Sequence, residues 1–191
     1  TEDAEVWRKH FLDSCLPFQY VEIPAGAAII DVGTGAGFPG IPMRILRPDF
    51  QLTLLDSLQK RVHFLETVCQ ALQIPVYCMH ARAESAGKQP DFREQFDVAC
   101  ARAVAAMPLL CEYCLPFVKV GGVFLALKGP NETAESAMET ISLLGGELEE
   151  TYLYSLDQHE ARRLFVIRKV KETPKKYPRS PKQLQNRKYQ A

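Results

Sequence analysis

An acidic residue and several glycines come directly after an apolar run in the first quarter of the chain. The acid is Asp31, the run covers residues 27–32, and the glycines are Gly33, Gly35, Gly37 and Gly40. Glycine adopts positive φ without strain, and its missing Cβ lets a ligand approach the backbone. The run predicts a buried strand and residues 41–46 begin a helix, so the glycines are expected at a strand-to-helix turn. Such a turn is typical of a loop that binds a nucleotide cofactor.

Two classes of cofactor use such a turn. Gly35, Gly37 and Gly40 satisfy the G-x-G-x-x-G spacing of dinucleotide sites. Asp31 favours the other class, because a carboxylate just ahead of the glycines would repel a pyrophosphate. S-adenosylmethionine has no phosphate and carries an ammonium and a sulfonium, so an acid there is favourable. We therefore predict that Asp31 and these glycines bind S-adenosylmethionine, with a dinucleotide site and a purely structural turn as alternatives.

A second acid, Asp56, ends the next apolar run at residues 51–56. It follows the glycines by about twenty residues, the place where an acidic side chain accepts hydrogen bonds from a ribose diol. The alternative is an N-cap, because Asp56 and Ser57 precede a helical pattern over residues 58–72. The two roles are compatible.

The order of the predicted elements indicates one α/β domain over residues 1–170. Strands are predicted at 27–32, 51–55, 75–79, 96–101, 122–128, 148–155 and 163–170, and helices at 41–47, 58–72, 106–118 and 132–144. Alternation of strand and helix implies a mostly parallel sheet with crossover helices. The last two strands have no helix between them and predict an antiparallel hairpin. This seven-stranded, Rossmann-like arrangement is that of the class I S-adenosylmethionine-dependent methyltransferases.

Six cysteines without a secretory signal or an apolar run of about 18 residues indicate a reduced, cytoplasmic setting and no membrane segment. Cys111 and Cys114 have C-x-x-C spacing, but no second ligand pair stands at zinc spacing and the motif lies inside an apolar helix. We therefore predict no metal. Cys100, a conceivable covalent nucleophile, is expected to pack in the core.

Positive charge is concentrated near the end of the chain. Residues 162–188 contain eleven basic residues and one acid, net +10, and the rest of the chain carries −10. Residues 171–191 alternate charge with proline and are too polar to pack alone, so we predict an RNA-binding tail. Its candidate contacts are Lys175, Lys176, Tyr177 and Arg179. The alternative is a solvated terminus.

Arg102 and Lys128 are expected at the carboxyl ends of the fourth and fifth strands, the edge at which such sheets bind ligands. We predict that both serve catalysis, Arg102 on guanine O6 or the cofactor carboxylate and Lys128 as a point charge on RNA. The alternatives are a salt bridge for Arg102 and an exposed rim lysine for Lys128. Asp13 caps a helix or lines the pocket.

An ordered set of motifs resembles the glucose-inhibited division protein B family, RsmG. The motifs lie at residues 31–40, 54–61, 64–65, 82–84, 101–103, 125–128 and 173–179. The resemblance implies a bacterial enzyme that methylates N7 of guanine 527, in the 530 loop of 16S rRNA, with S-adenosylmethionine. It implies cofactor contacts at Gly33, Phe38, Ala83, Glu84 and Arg102, with Asp56 toward the ribose. We expect a monomer that acts on 16S rRNA or the small ribosomal subunit.

Guanine N7 presents a lone pair and no proton, so a site without a strong general base is suited to methylation at this atom. Family members usually carry a longer helical N-terminus ahead of the segment at residues 10–14, and we expect apolar surface at Trp7 and Phe11 without it. The rival functions are an NAD-dependent oxidoreductase and a noncatalytic RNA-binding protein that senses S-adenosylmethionine.

Overall fold

Seven strands form one sheet, and they define the architecture. In the computed structural model, which describes residues 2–157 and 160–185, they are β1 Ala28–Val32, β2 Gln51–Asp56, β3 Tyr77–His80, β4 Phe96–Arg102, β5 Val118–Lys128, β6 Gly146–Ser155 and β7 Ala161–Lys169. Their order is β3-β2-β1-β4-β5-β7-β6. The first five strands are parallel to one another, and β7 pairs antiparallel with both β5 and β6. The predicted seven-stranded sheet with its terminal hairpin is confirmed.

Helices cover both faces of this sheet. They are α1 Glu2–Val6, α2 Asp13–Cys15, α3 Gly40–Leu46, α4 Gln59–Ala71, α5 Ala83–Ala86, α6 Met107–Cys114, α7 Met138–Leu143 and α8 Pro181–Gln185. A π-helix at Trp7–Leu12 joins α1 to α2. Because β1 is buried on both sides, successive residues enter different cores: Ile30 and Val32 pack in one and Ile29 in the other.

Two predicted helices are wrong in part. The helix expected over residues 106–118 ends at Cys114, and a 3₁₀ turn at Leu115–Phe117 contains Pro116, which cannot donate the helical hydrogen bond. Strand β5 therefore begins at Val118 instead of 122, and its pairing with β4 shifts register between Phe96 and Val98. The helix expected from residue 132 begins at Met138, after a 3₁₀ turn.

The segment before β1 contributes exposed apolar surface. Trp7 is 67% exposed, and its ring lies 5.0 Å from that of Phe11. Within the described residues, every helix is too short or too polar to span a membrane.

Candidate active site

The turn after β1 is built as the glycines predict. Gly33, Gly35 and Gly37 have φ values of 71°, 61° and 98°, in the left-handed region that disfavours other residues. A Cβ on Gly33 would also lie 2.8 Å from a methyl carbon of Val104. The glycines therefore serve both backbone conformation and close packing.

Asp31 stabilises this turn through hydrogen bonds to its residues. Its Oδ2 accepts hydrogen bonds from the Thr34 hydroxyl at 2.6 Å and from the Gly40 backbone N–H at 2.8 Å. The carboxylate is fully buried, and Oδ1 has no hydrogen-bond partner among the described residues. Burial raises the pKa of Asp31 to about 6. This placement corrects the expectation that the carboxylate faces the ligand: Asp31 acts on the turn, through its backbone.

Asp56 is not the N-cap of α4, which is Leu58, and its ribose role stays a prediction. Its Oδ2 accepts from the Gly35 N–H at 3.0 Å, and its Oδ1 accepts from the Leu58 N–H at 2.9 Å, just before α4. Arg61 Nη1 lies 3.4 Å from Oδ2. Asp56 thus joins the glycine turn to the start of α4, and its carboxylate also borders a cavity.

This cavity, cavity 1, has a volume of about 260 Å³ and lies over the carboxyl ends of the strands. Its walls are Val32, Gly33, Leu55, Asp56, Ser57, Arg61, Ala81, Arg82, Ala83, Glu84, Ala103, Val104 and Tyr113. Glu84 is buried, with its Oε1 3.8 Å from Nη1 of exposed Arg82. Gly33, Asp56, Ala83 and Glu84, four of the predicted cofactor contacts, therefore come together. That these four residues contact the cofactor stays a prediction.

Arg102 lies beside cavity 1 and is engaged by the N-terminal segment. Its guanidinium donates to the Lys9 carbonyl at 2.9 Å and to Asp13 Oδ2 at 3.1 Å, and contacts His10 Nδ1 at 3.0 Å. It also lies 5.3 Å from the centre of the Phe38 ring. The salt bridge considered as an alternative for Arg102 is therefore present, and Phe38 packs against Arg102.

A second cavity, cavity 2, adjoins the first and shares Ala103 as a wall. Its volume is about 400 Å³, and its other walls are Lys9, His10, Asp13, Arg102, Leu127, Lys128, Gly129, Glu132 and Arg162. Lys128 is 7% exposed, and its Nζ donates to the Ala105 carbonyl at 2.7 Å and to Glu132 Oε1 at 3.2 Å. The alternative of an exposed rim lysine is wrong.

Three polar residues near cavity 2 were missed or left undecided by the sequence. Asp13 is buried and accepts from the Tyr154 hydroxyl at 3.0 Å as well as from Arg102. Burial and the neighbouring Asp13 raise the pKa of Tyr154. Glu132 pairs with Lys128. Asp13 and Tyr154 are 141 residues apart, and no local pattern could have connected them.

The cysteines are structural. All six are free, and Cys100 is fully buried, where desolvation raises its pKa well above the usual value. A buried thiol without thiolate character is a poor nucleophile, which argues against the covalent role. Within the described residues, no three His, Cys, Asp or Glu side chains are grouped closely enough to hold a metal ion.

Residues 173–180, here called the C-terminal strap, pack on the domain. The Arg179 backbone N–H and guanidinium all bind the carboxylate of Glu112, whose side chain is 1% exposed. Arg93 donates to the carbonyls of Thr173 at 2.5 Å and Tyr177 at 2.8 Å. The segment was expected to be too polar to pack alone, and it packs on the domain, where Glu112 pairs with Arg179 and Arg93 binds its backbone carbonyls.

The strap divides the predicted RNA contacts into two groups. Arg179 is paired with Glu112, and Tyr177 packs against the core. Lys175 and Lys176 are exposed, with Lys176 Nζ 5.4 Å from the centre of the Tyr177 ring. Residues 186–191 of the predicted tail lie outside the described residues.

The sheet order, the glycine turn and the cavity beyond β1 and β2 define the class I S-adenosylmethionine-dependent methyltransferase fold. Solved structures with this fold include TrmN from Thermus thermophilus, with a TM-score of 0.62 and 15% identity, covering 85% of this chain and 53% of that one. A precorrin-6y C5,15-methyltransferase from Geobacter metallireducens gives a TM-score of 0.60 at 14% identity, covering 82% of this chain and 87% of that one.

The family is narrower than the fold. A family model described as rRNA small subunit methyltransferase G, GidB, matches residues 1–165. Proteins called ribosomal RNA small subunit methyltransferase G are similar along most of the chain. The one from Clostridium novyi is 48% identical over 95% of this chain and 76% of its own length, and that from Lactobacillus delbrueckii subsp. bulgaricus is 50% identical over 94% and 77%. The chain belongs to the rRNA small subunit methyltransferase G family, as its motifs predicted.

Proposed function

We propose that this enzyme transfers a methyl group from S-adenosylmethionine, held in cavity 1, to N7 of a guanine in the 530 loop of 16S rRNA, held in cavity 2. The observation that carries the proposal is the junction of the two cavities at Ala103, beside the glycine turn. Asp56 lies at one end of this path and Lys128 at the other. The path follows the sheet edge from β2 through β1 and β4 to β5.

Cavity 1 suits a nucleoside without phosphate. An ionised carboxylate offers about four acceptor positions, and three protein donors approach Asp56, so an acceptor position remains for a ribose hydroxyl. Glu84 is a second buried acceptor in the cavity wall, suited to the adenine amino group. Two carboxylates in the inner wall would repel the pyrophosphate of NAD, whereas a sulfonium and an ammonium are attracted.

Position matters more than proton transfer in this reaction. When bound, S-adenosylmethionine supplies an electrophilic methyl group on a positively charged sulfur. The guanine N7 lone pair forms the new bond to the methyl carbon in line with the breaking sulfur–carbon bond, whose electron pair stays on sulfur. N7 carries no proton, so no side chain acts as a base, and the protein chiefly holds the two partners in contact.

Arg102 orients the reacting groups from the junction of the cavities. Asp13, His10 and the Lys9 carbonyl restrict its guanidinium, so the remaining N–H groups present a fixed fork. A fixed fork suits the cofactor carboxylate or guanine O6. Because lysine cannot reproduce this geometry, Arg102→Lys should rescue little of the methylation that Arg102→Ala removes. Near wild-type rates in both variants would assign Arg102 to structure alone.

The proposal also covers the RNA-binding surface, the cellular compartment and the oligomeric state. Exposed Lys175 and Lys176 support an RNA-binding tail at residues 171–191, whose strap packs on the catalytic domain at 1–170. Six free cysteines support a reduced cytoplasmic compartment. We propose a monomer that acts on 16S rRNA or on the small ribosomal subunit.

Calorimetry with S-adenosylmethionine, its demethylated product and NAD tests cavity 1. Asp56→Ala should weaken both methyl-donor ligands by about 1.5–3 kcal/mol, because charge-assisted hydrogen bonds to the ribose are lost. Asp49→Ala is the matched control, since Asp49 pairs with Arg47 away from the cavity. Comparable binding of NAD, or unchanged affinity in Asp56→Ala, would contradict this assignment.

The methyl acceptor is tested in cells. Small-subunit RNA from cells that lack the protein should have lost one methyl group, located by mass mapping at a guanine in the 530 loop. Restoring the wild-type chain should return it, whereas a chain with Arg102→Ala should not. An unchanged methylation map would exclude this acceptor.

A further inference from the structure

Lys128 and Glu132 stand as a donor and an acceptor side by side in cavity 2. Lys128 Nζ lies 3.2 Å from Glu132 Oε1, and the Ala105 carbonyl fixes the ammonium at 2.7 Å. An ammonium has three N–H donors, and these two contacts use two of them. The Glu132 carboxylate retains acceptor positions on both oxygens.

The other carboxylate of cavity 2 is already engaged. In the part of the chain that the structure describes, Asp13 and Glu132 are the acids that line this cavity. Asp13 accepts from Tyr154 with one oxygen and from Arg102 with the other, and it is buried. Glu132 is the more accessible of the two, with 43% of its side chain exposed. It is therefore the acid available to a base that enters from solvent.

This pair complements one edge of guanine. The Watson–Crick edge of guanine presents an acceptor, O6, next to the donors N1–H and N2–H₂, whereas adenine presents a donor at N6 next to an acceptor at N1. Enzymes that act on an unstacked base commonly recognise that base by hydrogen bonds to this edge. Lys128 matches O6 and Glu132 matches N1–H and N2–H₂, while adenine would place like groups together at both positions.

The difference in burial between the two side chains orients the guanine ring in the cavity. Lys128 is buried in the wall of cavity 2, and Glu132 is half exposed. Along the guanine edge the atoms run N7, O6, N1 and N2. With O6 at Lys128 and N1 at Glu132, N7 lies beyond O6, on the buried side of the pair.

We infer that Glu132 is a specificity-determining residue, which selects guanine by accepting hydrogen bonds from N1–H and N2–H₂ while Lys128 donates to O6. The inference rests on the proposed function and deepens it by naming the group that distinguishes the target base. The Lys128–Glu132 contact is also an ion pair between residues four apart, and the test separates a structural role from base selection.

The experiment compares two bases at the target position. The wild-type chain, Glu132→Ala and Glu135→Ala methylate 16S RNA with guanosine or inosine at that position, supplied free and assembled into small subunits. Inosine keeps N7, O6 and N1–H but lacks the N2 amino group. We expect the wild type to prefer guanosine by about tenfold or more in kcat/KM, as for a hydrogen bond to a charged group. Glu132→Ala should act on both bases at similar, reduced rates.

Glu135→Ala is the matched control, because Glu135 is exposed, lies three residues farther on and does not line cavity 2. It should keep the wild-type preference. A wild-type preference retained by Glu132→Ala would overturn the inference, and so would equal wild-type rates on guanosine and inosine. In both cases guanosine methylation itself still supports the proposed function. Failure of the wild type to methylate the guanosine RNA in either form would overturn both.

Discussion

The turn after β1 and the C-terminal strap are each held by a buried carboxylate, yet the sequence predicted the turn and not the docking of the strap. Asp31 binds backbone and hydroxyl donors of the turn, and Glu112 binds Arg179 of the strap. The partners of Asp31 lie 3 and 9 residues away, whereas Glu112 and Arg179 are 67 residues apart. A charge whose partner is local can be interpreted from spacing, and a charge whose partner is distant looks free.

Arg179→Met should show the largest effect, because it leaves the Glu112 carboxylate buried without its partner. We expect the free energy of unfolding to fall by about 3–5 kcal/mol. Urea denaturation of the variant and of Lys175→Met provides the measurement. Lys175 is exposed on the same strap, so its substitution should change stability by less than about 0.5 kcal/mol.

A double-mutant cycle sharpens this prediction. Adding Glu112→Gln to Arg179→Met should recover part of the loss, because the unpaired charge is removed together with its partner. Equal losses for Arg179→Met and Lys175→Met would mean that the strap is not docked in solution. The RNA-binding tail would then begin before residue 180, as the sequence suggested.

Asp31 makes the contribution of the turn to stability depend on pH. An unfolded aspartate loses its proton near its usual pKa of 3.8, while burial keeps Asp31 protonated in the folded state up to about pH 6. Between these values the folded state binds more protons, so this contribution to stability falls as pH rises. The change amounts to roughly 3 kcal/mol and is complete above about pH 6.

Asp31→Asn isolates this titration. The amide oxygen can replace Oδ2 as the acceptor from Thr34 and Gly40, and the amide nitrogen takes the place of unpartnered Oδ1. Stability measured in urea from about pH 4 to pH 7 should therefore rise in the variant relative to the wild type. A constant difference between the two chains across this range would show that Asp31 has an ordinary pKa.

The types of the strands and helices could be predicted from the sequence more accurately than the residues at which they begin and end. Buried runs such as residues 27–32 and 51–56 and the helical pattern before Leu72 gave strand and helix types correctly, because their periodicity is local. The boundary near residue 118 was wrong. The strand expected from residue 122 begins at Val118, and β5 passes through Gly121 and Gly122 with a change of register against β4.

In the candidate site too, some residues could be predicted from the local sequence and others could not. Gly33 and Asp56 follow strand ends, where sequence order alone brings them to one edge of the sheet. Asp13 reaches cavity 2 only because the N-terminal helices fold across Arg102, 89 residues away. Glu132 lies past the end of β5 without a motif of its own, so its place beside Lys128 could be known only from the structure.

Gly35→Ala tests whether the turn depends on backbone conformation or on space. A Cβ at Gly35 would meet nothing within 4 Å, but φ is +61°, so alanine should cost about 1–2 kcal/mol from strain alone. Gly35→Asn should cost less, since asparagine tolerates this region. Gly129→Ala is the control: its Cβ also enters open space, without a positive φ. Equal stability of the alanine variants at 35 and 129 would contradict the argument from strain.

The smallest effect on stability is expected where the strap meets solvent, and there the readout is RNA binding. Lys175 and Lys176 are exposed, so replacing both with glutamine should leave unfolding almost unchanged. If both contact phosphates, the slope of log affinity against log salt should flatten by about 0.7 for each, or about 1.4 in total.

Lys119 is a control from the opposite end of β5, where it pairs with Asp97. Lys119→Gln should keep the wild-type salt slope, and S-adenosylmethionine affinity should be unchanged in both variants. An unaltered slope in the double variant would leave the strap as a structural clamp, with RNA bound elsewhere. A weaker affinity for S-adenosylmethionine would instead show that the strap supports cavity 1, which it can reach through Glu112 and its neighbour Tyr113 in the cavity wall.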